Sequence, residues 1–301
     1  MNSELIISGV SGQALAEMMG VSSSNDAGTK KASNLARLSI MSKPIMGDFE
    51  SDGKVRKTEV LPVGAYRLKV DDEFVYCLNP EIRIFSLKEQ WTHWDSVNNA
   101  MDRSLMANNL YGDLKDSKGT FNIGRPTGYH SKKEYDALSQ ATKDLMRSVK
   151  RTKIIFGTVN FNGLALDENG NEVTGYDGQI PFILDTKNKD SINALRDALD
   201  VVKRDSTLPI EAKLLKRSFI LGAKIESVPQ TYATILFTVK GEVDLEDQDS
   251  KTFESFQDWI IWSNTYVLDK WKEHNVQELS QEDADLTEQF VEIEEFTGAG
   301  V

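Results

Sequence analysis

The chain has 301 residues, a formal net charge of −12 and 40% hydrophobic residues, enough apolar material for one large or two ordinary cores. A single cysteine, Cys77, excludes an intrachain disulfide, and three scattered histidines (His93, His130, His274) give no Cys/His zinc spacing. There is no run of about 18 apolar residues, so no membrane-spanning helix is expected, and the N-terminus lacks the basic leader and apolar stretch of a secretory signal. The expected setting is therefore the cytoplasm, with no membrane partner.

Charge is unevenly distributed. Residues 276–301 hold eight acids and neither Lys nor Arg, whereas residues 118–153 hold nine cations against Glu134, Asp136 and Asp144. A basic middle beside an acidic C-terminal stretch is the asymmetry of a chain that meets a polyanion while remaining acidic overall.

Residues 1–57 read as a flexible arm. A short amphipathic segment (Leu5 to Met19) precedes a Ser/Asn/Asp/Gly-rich linker, and Lys30, Lys31, Arg37 and Lys43 follow, interleaved with Leu35, Leu38 and Ile40. Such an arm either docks on a second subunit, giving self-association, docks on nucleic acid, or is a leader without a fixed role. The folded core is expected over 58–250. Glu59 to Val70, Phe74 to Leu78 and Ile82 to Leu87 alternate and are separated by turn residues, the pattern of an antiparallel meander.

Aromatics and cations then accumulate. Arg83, Phe85, Lys88, Trp91 and Trp94 fall close together; the two Trp rings are either stacking platforms for bases or a minor core cluster. Residues 112–149 read as a basic insertion. Gly119 and Gly124 have phosphate-loop spacing, but Arg125 and Pro126 stand where Lys and Ser/Thr are required, which rejects a nucleotide hydrolase of that class. Arg125, Tyr129 and Lys132 still suit a loop that touches a phosphodiester backbone, and a helix is expected from Glu134 to Ser148. Lys150, Arg151 and Lys153 then lead into Ile154 to Phe161, a run of β-branched and aromatic residues with Phe156 at its centre. This is either a core strand with solvated cations or a platform on which cations track phosphates and rings stack bases.

Asp167 to Glu172 resembles the start of a calcium loop, but Glu172 and Gly178 occupy the positions that need Gly and Glu, so a hairpin turn is expected. Asp190 or Ser191 is placed to cap a helix carrying Ile192, Leu195, Leu199 and Val202. Strands follow at Ile210 to Ile225, with Lys216 and Arg217, and at Tyr232 to Val239. Residues 251–275 read as a C-terminal helix, and the acidic residues 276–301 as disordered, since one-sided charge and low hydrophobicity leave little to bury. No catalytic triad, nucleophile elbow or zinc-protease motif is present, so a non-enzyme without a cofactor or metal is expected.

The order of parts resembles the single-stranded DNA-binding proteins of tailed bacteriophages. The residues that carry the resemblance are Lys150 to Lys153 before Ile154 to Val159, the helix at Ile192 to Val202, the strands from Phe219 to Phe237, and the acidic stretch. The resemblance implies a mainly β, α+β fold: an OB-fold-like antiparallel barrel with helical insertions and a C-terminal helix. It implies coating of single-stranded DNA in the host cytoplasm during phage replication and recombination. It also implies recruitment of replication or recombination proteins through the acidic stretch, with Phe290 and Phe296 as partner contacts. The other readings are a virion or assembly protein and a recombination mediator or nuclease.

Overall fold

The computed structural model describes residues 35–297, apart from 53, 71–72, 111–113, 119–135, 205–209 and 228–230. The chain forms two compact units, Met1–Lys88 with Thr152–Ile260, and Glu89–Arg151 with Ile261–Val301.

The first unit is built on a mostly antiparallel sheet. Its strands are β1 (Ala36–Ile40), β4 (Tyr66–Val70), β5 (Glu73–Cys77), the first half of β6 (Glu81–Asp95), β8 (Lys150–Asn160), β9 (Ile180–Thr186), β10 (Arg217–Glu226) and β11 (Tyr232–Glu242). Their order is β11-β10-β6-β8-β9-β1-β4-β5. β1 runs parallel to β9 and antiparallel to β4. β2 (Ile45–Ser51) and β3 (Lys54–Leu61) form a separate two-stranded sheet.

Alternation sorts the side chains. Ile82 and Ile84, Ile155 and Val159, Phe182 and Leu184 join Leu38, Tyr66, Leu68 and Phe219 in one buried cluster. Helix α2 (Lys189–Arg204) covers it with Leu195, Ala198 and Val202, followed by the short helix α3 (Ile210–Leu215). The intervening residues of β6 and β8 face the other way, where Phe85 and Phe156 meet Phe256 of helix α4 (Asp247–Thr297) at ring-centroid distances of 5.6 and 5.7 Å. Gly157 is required by the close approach of the β6 backbone to β8. A Cβ there would stand 2.1 Å from the Arg83 carbonyl oxygen of the adjacent strand. The cap of α2 is Asn188, whose Oδ1 accepts the N–H groups of Asp190 and Ser191, rather than Asp190 or Ser191. Ser191 instead accepts the N–H of Ile235, tying α2 to the edge strand β11.

In the second unit the later half of β6 pairs with β7 (Ala100–Arg103), and helix α1 (Gln140–Ser148) precedes β8. The Asn264 side chain holds α4 in place here, accepting from the Met106 N–H and donating to the Met106 carbonyl.

Several expectations are corrected. The sheet is open: its strand order ends at β11 and β5, with no pairing between them among the described residues, so it is not a closed barrel. The arm does not extend to 57. Residues from Ala36 enter the sheet as β1 because Ala36 and Leu38 supply one apolar face, and β2 and β3 follow. The acidic stretch is helical as far as Thr297. Low hydrophobicity removes the drive to bury a face, but Glu, Gln, Leu and Ala are good helix formers, and that local preference does not depend on burial. Residues 210–215 are helical rather than strand, and β10 begins at Arg217.

Candidate nucleic-acid interface

An exposed sheet face of the first unit gathers the side chains expected of a polyanion platform. In β4, Tyr66 and Leu68 point into the core, so Arg67 and Lys69 must point out. In β1 the same logic turns Arg37 outward. Register then lines them up: Arg37 lies opposite Lys69, and Lys69 opposite Phe74 of β5, making one row across three strands. Arg67 stands in the next row, with its guanidinium 4.7 Å from the Phe74 ring centroid.

Arg37 and Lys69 also line a cavity of about 980 Å³ whose opposite wall is the start of α4, with Lys251, Ser255 and Trp259. Ile180, Pro181 and Ile183 of β9 form an apolar part of the lining. Trp259 is held by Phe156, the centroids being 5.7 Å apart, and remains half-exposed to the groove. Two acids moderate the charge: Asp185 pairs with Arg37 at 2.8 Å, and Asp247 lines the wall. Among these described residues, four cations (Arg37, Arg67, Lys69 and Lys251) stand against these two acids. A phosphate backbone fits Arg67, Lys69 and Lys251, with base stacking available at Phe74 and Trp259. A second depression, of about 520 Å³, is lined by Asp177, Glu246 and Asp249 and is unsuited to phosphate.

No known protein family, curated protein or solved structure matches the chain.

Three of the site residues expected from sequence lie in the interior. Arg83 is only 2% exposed. Its two terminal nitrogens form a fork onto the Asp249 carboxylate at 2.9 and 2.7 Å, and one also reaches the Leu215 carbonyl. Phe85 and Phe156 are buried against Phe256. The reason is the same for all three: within the first unit β6 and β8 are central strands covered on both faces, so neither offers a platform there. Lys153, on β8, is half-buried, and Lys88, on β6, is half-buried with its ammonium pKa lowered by desolvation. Lys216 is exposed just before β10, and Arg217 pairs with Glu242 at 3.0 Å.

The second unit brings a different subset together. Trp94 is 52% exposed and lies opposite Met101, while Thr92 lies opposite Arg103. The Thr92 hydroxyl donates to the Lys150 carbonyl, which sets Lys150 beside this pair. The Lys150 ammonium donates to the Arg147 carbonyl at the end of α1. Trp91 and Arg151 fall on the opposite face of their strands from Trp94 and Lys150. There Arg151 is paired to the buried Glu89, and the His93 Nδ1 lies 3.2 Å from Asp102. Lys118 reaches Asp95 at 2.7 Å. That ammonium, the Asn98 side chain and the N–H groups of Asn98 and Val97 hold the Asp95 carboxyl well below the usual carboxylate range.

Arg125, Tyr129 and Lys132 lie outside the described residues, and Phe290 and Phe296 fall on α4 beyond the last described side chain. The carboxylate of Asp167 is filled by the N–H groups of Asn169 and Asn171 and the Asn171 amide, as a turn requires. Among the described residues no group of three or more His, Cys, Asp or Glu side chains is placed to hold a metal ion. Arg67, Lys69 and Phe74 of this sheet face were absent from the expected site, and of the three Lys69 lines the groove. The alternation of Tyr66 to Val70 is a signal that could have found them, because it forces both cations out of the core.

Proposed function

We propose that this chain is a non-enzymatic binder of single-stranded DNA, with little sequence preference, acting in phage replication or recombination. The observation that carries the reading is the row Arg37–Lys69–Phe74, continued by Arg67, in which Arg37 and Lys69 share a groove with Lys251 and Trp259. Cations interleaved with rings on a sheet face suit a strand whose phosphates and bases are both accessible. The reading does not need a closed OB-fold barrel, since an open face presents the same row. The acidic C-terminal stretch is the part proposed to recruit replication or recombination proteins.

The test is binding of oligo-dT, measured by fluorescence anisotropy across a salt series. Each phosphate contact contributes about 0.7 to the slope of log affinity against log salt for single strands. Replacing Arg67, Lys69 and Lys251 together by Ala should therefore flatten the slope by about 2 and weaken binding to all sequences alike. Phe74→Ala should cost about 1–3 kcal/mol of binding, the worth of one stacked base. An unchanged slope in the triple variant removes this face as the binding surface. A wild-type protein that does not bind oligo-dT points instead to a virion or assembly role, and divalent-metal-dependent cutting of the oligonucleotide points to a nuclease.

A further inference from the structure

The β2–β3 hairpin has no use in the groove and no core of its own. Among the described residues its anchor is at its base, where Ile45, Val60 and Leu61 pack with Met41, Ala65, Tyr76 and Leu166. Beyond the base every described residue from Lys54 to Glu59 is exposed, and Phe49, Val55 and Met46 are 61%, 67% and 47% exposed. A two-stranded hairpin with both faces in water is marginal by itself, so large apolar side chains on it call for a covering partner.

Register identifies that partner. Phe49 lies opposite Arg56, and Lys54 shares their face, because side chains two apart along a strand point the same way. This face carries two cations and no acid. The other face carries Asp48 opposite Lys57, Glu50 opposite Val55, and Met46 opposite Glu59. It holds three acids and one cation. The two faces are thus +2 and −2, each with exposed apolar surface.

We propose that this hairpin is the contact through which copies of the chain assemble head to tail, the cationic face of one copy resting on the acidic face of the next. Phe49 of one hairpin then packs between Met46 and Val55 of its neighbour. Two different faces meet, so the contact is heterologous and propagates as a row instead of stopping at a dimer.

The test needs no nucleic acid, so it stands apart from the binding proposal. Mass is followed by light scattering over a concentration series at low salt and again at 1 M, where the screening length is about 3 Å. Wild-type mass should rise with concentration and fall back at high salt. Lys54→Glu with Arg56→Glu turns the first face to −2, and Asp48→Lys with Glu50→Lys turns the second to +2. Each double variant should remain monomeric alone, because its two faces then repel. Mixed in equal amounts they should assemble again, alternating along the row, which also shows that both are folded. Wild-type protein that stays monomeric at every concentration, or a mixture that fails to regain mass, overturns the proposal. So does a Lys54/Arg56 variant that assembles like wild type while losing oligo-dT affinity, which would give the hairpin to nucleic acid.

Discussion

The fork between Arg83 and Asp249 separates a structural from a nucleic-acid role. Both side chains are buried, and the Arg83 Nε has no hydrogen-bond partner among the described residues. Asp249→Asn removes the counter-charge and leaves the buried guanidinium with no ion-pair partner at its fork, which costs about 3–5 kcal/mol. Arg83→Met is milder. It removes the orphaned Nε with the charge, and the Asp249 carboxylate keeps the Glu246 N–H at the first turn of α4, where the helix dipole favours an anion. The loss is then that of the charged hydrogen bonds, about 2 kcal/mol. The double variant leaves no unpaired charge and should fall short of the summed costs by about 1–3 kcal/mol. Urea unfolding followed by far-UV circular dichroism reads this directly. With a slope of about 2–3 kcal/mol/M, Asp249→Asn should lower the midpoint by about 1–2 M. Folded Arg83→Met protein should bind oligo-dT as wild type does. Additive costs, or an Arg83 variant that is at least as unstable as the Asp249 variant, would refute the reasoning. Weaker DNA binding by folded Arg83→Met would return Arg83 to the phosphate contacts.

Gly157→Ala places a methyl group against the backbone of the neighbouring strand, which has no room to yield. A loss of about 3 kcal/mol is expected, or about 6–12 °C in Tm by calorimetry; an unchanged Tm would rule out the close approach. Asp95→Asn removes a carboxyl whose folded pKa is depressed, chiefly by Lys118. A depressed acid stabilises the fold above its unfolded pKa, about 3.9, and that contribution is lost as pH falls through the folded value. Wild type should therefore be the more stable above about pH 4, with the gap closing at lower pH; a gap independent of pH would show that Asp95 acts through shape rather than charge.

Much of the sheet was legible in the sequence. Alternation with turn residues located β5 and β11 and the first half of β6, and the β-branched run located β8, because those signals are local; Glu59 to Val70, read as one strand, is the end of β3 and all of β4, in two different sheets. Burial on both faces of β6 and β8 was not legible, since it depends on α2 and α4 returning from far along the chain. That is why Arg83 read as a phosphate contact: its partner Asp249 is 166 residues away. The groove depends on register between β1, β4 and β5 and on the approach of α4, so its residues could be sorted in or out of the core by pattern, but not assembled into a row.

The parallel pairing of β1 with β9 also has a consequence in time. Residues 41–179, 139 in all, separate the end of β1 from the start of β9. At a synthesis rate of about 5–20 residues per second, β1 waits roughly 7–28 s for its neighbour. β4 can pair with β1, and β5 with β4, almost at once, leaving the other edge of β1 open throughout that interval. An open edge invites wrong pairing with other chains, and a charged side chain on it is a known deterrent. Arg37 sits on that edge and acquires Asp185 only when β9 docks. During that interval its charge disfavours pairing of this edge with other chains; in the finished protein the same guanidinium is paired with Asp185 and lines the groove.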